Sequence, residues 1–149
     1  MSEKTLIELK MANKNITNLV DGLLNGIQQL INSEFETPIF ALPKELESYI
    51  KVNVSMCLKD LEKEYIAYTL STDEKLKSAH FLALTAIHYR LLSLTDLIMI
   101  ETVNAFYVTV KGVSLRIINK IIEYAVTSFI YSAKNLILDG KKIDNISDW

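Results

Sequence analysis

Residues 113–138, VSLRIINKIIEYAVTSFIYSAKNLIL, decide the fold. Residues of one row in this stretch recur at alternating steps of three and four, which is the period of one face of an α-helix. A second row widens this face over most of the circumference, and a helix that is apolar nearly all round is typically buried. The rest of the chain must therefore supply the surfaces that cover it. The first row comprises Leu115, Ile118, Ile122, Ala125, Phe129, Ser132 and Leu136, and the second comprises Ile117, Ile121, Ile130, Ala133 and Ile137.

The length and the composition indicate a helical chain of one domain. A chain of 149 residues can bury roughly two-thirds of the surface that it exposes when unfolded, so it needs no disulfide or metal to fold. It contains only 4 glycines and 2 prolines, which disfavours a turn-rich β-sandwich and favours long helices. We predict a single helical-bundle domain over residues 1–149, in which residues 140–149 form a tail that is either flexible or docked.

The charges and the single cysteine indicate a cytoplasmic protein. The net charge is −2, so the chain lacks the basic excess of a dedicated duplex binder. Cys57 cannot form an intramolecular disulfide, which is typical of a reducing compartment. The first ten residues contain two acidic residues where a signal peptide needs a basic region before an apolar run. The longest stretch without Asp, Glu, Lys or Arg is Gly22–Ser33, whereas a bilayer span needs about 20 residues, so we expect no transmembrane insertion.

The first and second helices follow from the same periodicity. The first covers about residues 3–33 with a heptad-like spacing, in which Asn13 either fixes the register of a partner helix or meets water at a frayed end. Gly22 and Gly26 lie four residues apart in this helix, and they either admit the close approach of another helix or mark a bend. The second helix is expected to begin at Pro43, because proline suits the first turn of a helix.

The third helix is expected to begin at a capping box, Ser71–Glu74, and to be interrupted before Gly112. Without a break it would be about 60 Å long, whereas its partners would be about 40–45 Å long. Its last part is rich in β-branched and aromatic residues, which suit an extended segment. We therefore predict an irregular segment or a short β-strand around residues 101–112, with residues 37–42 as a possible pairing partner.

The fold class that these elements predict is all-α, with four helices in an up-down-up-down bundle interrupted around residues 101–112. The fourth helix is expected to end at Gly140, because glycine adopts the left-handed conformation that closes many helices. The connection over residues 32–42 is too apolar for a free loop, so we expect it to cross the end of the bundle.

The residue types that carry catalysis or bind metals occur without the required spacing. Neither His80 nor His88 belongs to an H-x-x-x-H or E-x-x-H arrangement, and there is no glycine-rich phosphate loop and no nucleophile elbow. Asp96 and Glu101 could act as paired carboxylates, but we expect them to pair with arginines or to point outward. We interpret Cys57 as a buried small hydrophobe. We therefore predict no catalytic, cofactor-binding or metal-binding residue, no cofactor and no enzymatic activity.

The strongest functional signal is apolar surface beyond what a four-helix core needs. The third and fourth helices are apolar over more than one stripe, and several of the seven tyrosines lie off the main stripes. Tyrosine is enriched in protein interfaces, and surplus apolar area usually marks an interaction site. The candidate interface residues are Tyr107, Tyr124, Tyr131 and Trp149.

Three basic residues, Lys111, Arg116 and Lys120, are expected to cluster at the start of the last helix as a weak basic patch. We predict a non-enzymatic structural or interaction protein that self-associates or serves as a small helical subunit of a larger assembly. One alternative is a small helical subunit of a nucleic-acid-containing complex that uses the basic patch. Another is a bundle that binds an apolar ligand or a membrane surface between the third and fourth helices.

Overall fold

The part of the chain that the structure describes contains four long α-helices. The computed structural model describes residues 3–35, 40–109 and 112–138, and these ranges contain no strand. The all-α class is therefore confirmed. The helices are α1 (Glu3–Glu34), α2 (Lys44–Leu70), α3 (Glu74–Thr109) and α4 (Leu115–Ile137).

The four helices pack as an up-down-up-down bundle, as predicted. Arg90 Nη2 donates a hydrogen bond to Asp60 Oδ2 at 2.7 Å, and His80 Nδ1 lies 2.9 Å from Glu64 Oε2. Since the later residue of α3 meets the earlier residue of α2, these two helices are antiparallel. Each helix packs against the next, and α4 packs against α1 and closes the ring.

The helix that decides the fold is buried on one side only. Ile118, Ile122 and Ala125 are fully buried in the core, whereas Ile117 and Tyr124 are at least half exposed. The expectation that this helix is covered nearly all round is therefore wrong. In a ring of four helices each member touches two neighbours, so the face that points away from the ring stays uncovered.

The connection between α1 and α2 crosses the end of the bundle, as predicted. Phe40 and Leu42 are buried, and α1 side chains bind the backbone at both residues. Asn32 Nδ2 donates to the carbonyl oxygen of Phe40 at 2.9 Å, and Gln28 Oε1 accepts a hydrogen bond from the Leu42 N–H at 2.6 Å. These bonds satisfy backbone groups that a buried connection would otherwise leave without partners. Residues 36–39 lie outside the described ranges.

The predicted irregular or short β segment around residues 101–112 is wrong for residues 101–109, because α3 continues to Thr109. Phe106 is fully buried, and its ring centroid lies 4.5 Å from that of Phe35 and 5.0 Å from that of Phe40. The end of α1 and the crossing connection thus cover the extra turns of α3. Packing of this kind outweighs the weak helix propensity of β-branched and aromatic residues.

The start of α3 is capped by a residue other than the one predicted. Asp73 Oδ1 accepts hydrogen bonds from the backbone N–H groups of Lys75 at 2.8 Å and Leu76 at 3.2 Å. These are the second and third positions of the helix, so Asp73 is the N-cap. The predicted capping box at Ser71–Glu74 is therefore wrong in detail, because α3 begins at Glu74 and not directly after Ser71. The end of α3 is followed by Gly112 in the left-handed region at φ 85°.

The two glycines of α1 have different roles. A Cβ atom on Gly26 would lie 2.5 Å from Cε1 of Phe129, so this glycine admits the close approach of α4. A Cβ atom on Gly22 would have no heavy atom within 4 Å, and Gly22 is exposed. Of the two alternatives for the pair, close helix approach therefore applies to Gly26.

We expect Gly26→Ala to lower the free energy of unfolding by about 1 kcal/mol. Overpacking against Phe129 costs about 1–3 kcal/mol, and the better helix propensity of alanine returns about 1 kcal/mol. Gly22→Ala is the matched control, and it should raise stability by up to about 1 kcal/mol because only the propensity changes. Urea titrations followed by circular dichroism measure both values. Equal shifts of the same sign would contradict the close contact.

Candidate interaction surface

One face of α3 carries a row of large apolar side chains toward solvent. Leu82, Tyr89, Ile100 and Tyr107 are each more than half exposed. Their spacings place all four within about 20° of one line along the helix, over a length of about 38 Å. Between Leu82 and Tyr107 the charge nearest to this line is Asp96, about 30° from its centre. We call these four residues the outer α3 stripe.

The same helix meets the length and composition of a membrane span. Within the described ranges, one helix segment, Glu74–Val108, passes this test, and 33% of its most apolar window is buried in the bundle. A single helix of this kind is weak support for a membrane span, because core helices of other proteins meet the same criteria. Most of the apolar window of α3 is therefore not buried in the bundle.

A second apolar row faces outward on α4. Ile117, Ile121, Tyr124, Ser128 and Tyr131 follow one another at steps of four and three, the spacing of a seam between helices. Tyr124 is 66% exposed and Ile117 is 50% exposed, whereas the other three are half-buried. We call Ile117, Ile121, Tyr124 and Tyr131 the α4 ridge.

The predicted interface residues that the structure describes lie on these two rows. Tyr107 belongs to the outer α3 stripe and Tyr124 to the α4 ridge, and both are exposed. Tyr131 is half-buried, and the ammonium of Lys134 lies 4.3 Å from its ring centroid. Trp149 lies outside the described residues.

Two members of the predicted basic patch flank the α4 ridge. Arg116 and Lys120 are exposed and lie four residues apart, and neither forms an ion pair with another described residue. The exposed Glu123 follows one turn later and reduces the positive charge of this flank. Lys111 lies outside the described ranges. Two neighbouring cations hold a phosphate backbone only weakly.

A groove lies between the first half of α2 and the second half of α3. Its volume is about 460 Å³, and its two walls carry Tyr49 and Leu97, both partly exposed. Glu45 and Glu101 are exposed at the groove and form no ion pair with any described residue. We call it the α2/α3 groove. Its lining comprises Pro43, Glu45, Leu46, Tyr49, Leu97, Glu101, Asn104 and Ala105.

Neither this groove nor a buried lysine at the α3/α4 interface was predicted from the sequence. Lys134 is only 3% exposed, and burial lowers its pKa to about 8. Burial, followed by the nearby charge of Lys134, lowers the pKa of His88 to about 4. The four-residue step from Ile130 places Lys134 on the buried face, and this spacing is the signal that could have found it.

The space between α3 and α4 at this point is small. It is lined by His88, Thr95, Tyr131 and Lys134 among others, and it measures about 10 Å³. A volume of this size accommodates about one water molecule. This part of the α3/α4 interface therefore offers no room for an apolar ligand.

The remaining reactive groups are held in structural positions. Cys57 is buried, its Sγ lies 3.7 Å from the carbonyl oxygen of Ile87, and burial raises the pKa of its thiol. Burial thus confirms the interpretation of Cys57 as a small hydrophobe. Among the described residues, no three His, Cys, Asp or Glu side chains come together as a metal site. Asp96 and Glu101 are exposed, and Arg90 pairs with Asp60 instead.

No protein-family model matches this chain, and no curated protein or solved structure matches it significantly. Similarity to known proteins therefore contributes nothing to the functional argument. The function has to be inferred from the surfaces of the bundle.

Proposed function

We propose that this protein is a non-enzymatic interaction protein that self-associates or serves as a small helical subunit of a larger assembly. The observation that supports the proposal is the outer α3 stripe, a row of four large apolar side chains turned to solvent. Contiguous exposed apolar area on a protein usually marks an interaction site. The α4 ridge adds a second row on a neighbouring helix.

The composition of these rows suits a protein partner. Five side chains of the two rows are more than half exposed, and three of them, Tyr89, Tyr107 and Tyr124, are tyrosines. Tyrosine buries a large area on association while its hydroxyl group remains hydrogen-bonded, and it is enriched in interfaces. Full burial of a large apolar side chain contributes about 1.5–3 kcal/mol. Several such side chains together are comparable with the estimated cost of association, about 4–15 kcal/mol.

We expect Ile100→Glu to weaken self-association by about tenfold or more, because a carboxylate on the outer α3 stripe must lose water on association. Sedimentation velocity over a concentration series measures the change. Leu70→Glu is the matched control, since Leu70 is 56% exposed and Ile100 is 52% exposed, and Leu70 lies at the opposite end of α2 from the α2/α3 groove. Its association should equal that of the wild type.

Circular dichroism must first establish that both variants keep the helical content of the wild type. The proposal is wrong if the wild-type protein is strictly monomeric at micromolar concentration and recovers no partner in a pull-down. Equal weakening by both substitutions would instead mean that general surface charge, and not the stripe, controls association.

A further inference from the structure

We infer that the protein assembles head to tail, with the α4 ridge of one copy seated in the α2/α3 groove of a second copy. The inference rests on the proposed function and specifies two surfaces that contribute to self-association beside the outer α3 stripe. It follows from their shapes, their lengths and their charges.

The two surfaces are complementary in shape. The α2/α3 groove is concave, with a volume of about 460 Å³, and it lies between partly exposed apolar side chains at Tyr49 and Leu97. The α4 ridge is the outward face of a helix, and Ile117 and Tyr124 project farthest from it. A helix that presents apolar residues at steps of three and four to an apolar groove is a recurrent mode of recognition.

The lengths of the two surfaces also match. On α4, Ile117 and Tyr124 are seven residues apart, which corresponds to about 10 Å along the helix. On α3, the groove runs from Leu97 to Ala105, which corresponds to about 12 Å. The two most exposed residues of the ridge can therefore enter the groove together.

The charges of the two surfaces are opposite in sign. One flank of the ridge has a net positive charge even with Glu123 included. Arg116 and Lys120 lie along this flank, and Glu101 lies at the α3 wall of the groove. None of the three forms an ion pair with a described residue of its own chain. Glu45 on the α2 wall is adjacent to the exposed Lys44, so the basic flank of the ridge is directed toward the α3 wall. Opposite charges across an interface fix its orientation and accelerate association.

The arrangement of the helices makes this contact heterologous. The groove opens between α2 and α3, whereas the ridge faces away from the bundle on α4, so each copy presents both surfaces on different sides. A head-to-tail contact between different surfaces continues from copy to copy and yields a ring or a filament. The wild-type protein should therefore form species larger than a dimer as its concentration rises.

A mixing experiment tests the head-to-tail contact. Leu97→Glu places a charge in the groove, and Tyr124→Glu places one on the ridge, so each variant alone should self-associate about tenfold or more weakly than the wild type. Each variant retains one intact surface. An equimolar mixture should therefore form a 1:1 dimer with near wild-type affinity and no larger species. Sedimentation velocity distinguishes these results, and circular dichroism checks that each variant is folded.

Charge reversal supplies a second test that leaves the apolar surfaces unchanged. Glu101→Lys and Lys120→Glu should each weaken association by about threefold to tenfold at low salt, and the double variant should recover most of the loss. Lys63→Glu is the control, because Lys63 is exposed on α2 outside both surfaces. Its association should remain that of the wild type.

The outcomes separate the inference from the proposed function. If the wild type assembles but the mixture of variants is no larger than the separate variants, the head-to-tail contact is wrong and self-association through another face stands. The same conclusion follows if the charge-reversed pair gives no recovery. A strictly monomeric wild type overturns both the inference and self-association.

Discussion

Replacing Phe106 with Ala is expected to lower the free energy of unfolding by about 3–5 kcal/mol. The side chain is fully buried, and its ring packs against Phe35 at 4.5 Å and Phe40 at 5.0 Å between centroids. Truncation removes the transfer free energy of the ring and leaves a cavity that the two remaining rings can fill only in part. It also removes the contact that holds the last turns of α3 to the end of the bundle.

Urea unfolding followed by circular dichroism measures the loss, and amide hydrogen exchange locates it. Protection should fall most strongly over residues 102–109, because these turns depend on the phenylalanine cluster. The matched control is Val108→Ala, since Val108 is largely exposed and should change stability by no more than about 0.5 kcal/mol. Phe106→Leu, with a loss of about 1–2 kcal/mol, keeps the test available if the alanine variant does not fold.

Comparable losses from Phe106→Ala and Val108→Ala would contradict this account of α3. An unchanged exchange pattern over residues 102–109 would also do so, because the helix end would then be held by contacts other than Phe106. Either result would mean that contacts other than the phenylalanine cluster hold the last turns of α3.

The helical periodicity predicted the bundle, because buried faces repeat every three or four residues within each helix. It could not predict that α3 continues to Thr109. Whether α3 continues to Thr109 depends on the packing of Phe106 against Phe35 and Phe40. These residues are distant in the sequence and come together only when the connection crosses the end of the bundle. Local propensity was the only information available for these turns, and it favoured an extended segment.

The candidate surface was predictable where it depends on one helix. Tyr107 and Tyr124 lie off the buried stripes of their own helices, so spacing alone indicated that they remain uncovered. The α2/α3 groove was not predictable, because it depends on the register that places Tyr49 beside Leu97. No pattern within either helix determines that register.

Replacing Lys134 with Met is expected to raise the free energy of unfolding at pH 7 by about 2 kcal/mol. Lys134 is 3% exposed, and burial lowers its pKa from 10.5 to about 8. A shift of this size corresponds to roughly 3 kcal/mol against folding with the charged form. We reduce this figure because the variant loses the contact of the ammonium with the Tyr131 ring, at 4.3 Å, and the other interactions of Lys134.

The pH dependence gives the prediction a distinct signature. Between about pH 8 and 10.5 the unfolded chain keeps Lys134 protonated while the folded chain releases the proton, so stability should rise with pH across this window. Below about pH 8 both states are protonated, and the full cost of the buried charge is present. The wild type should therefore gain stability between pH 8 and 10.5, whereas Lys134→Met should lack this gain.

His88 supplies an independent readout of the same charge. Burial is the main cause of its pKa of about 4, and the nearby charge of Lys134 is the second cause. In Lys134→Met the pKa of His88 should rise but stay below 6.5, because the burial remains. Stability of the wild type should fall as the pH decreases from 6.5 toward 4, since the unfolded chain then binds the proton that the folded chain excludes. A titration of the imidazole by NMR measures the pKa.

Urea unfolding at several pH values, for the wild type and for Lys134→Met, completes the test. Lys63→Met is the control, because Lys63 is exposed and its replacement removes a charge without removing a buried one. Its pH profile should follow that of the wild type. Two results together would contradict the prediction: a wild-type stability that does not change between pH 8 and 10.5, and an unchanged pKa of His88 in Lys134→Met. They would mean that the ammonium of Lys134 is fully hydrated and that the α3/α4 interface is open to water at this point.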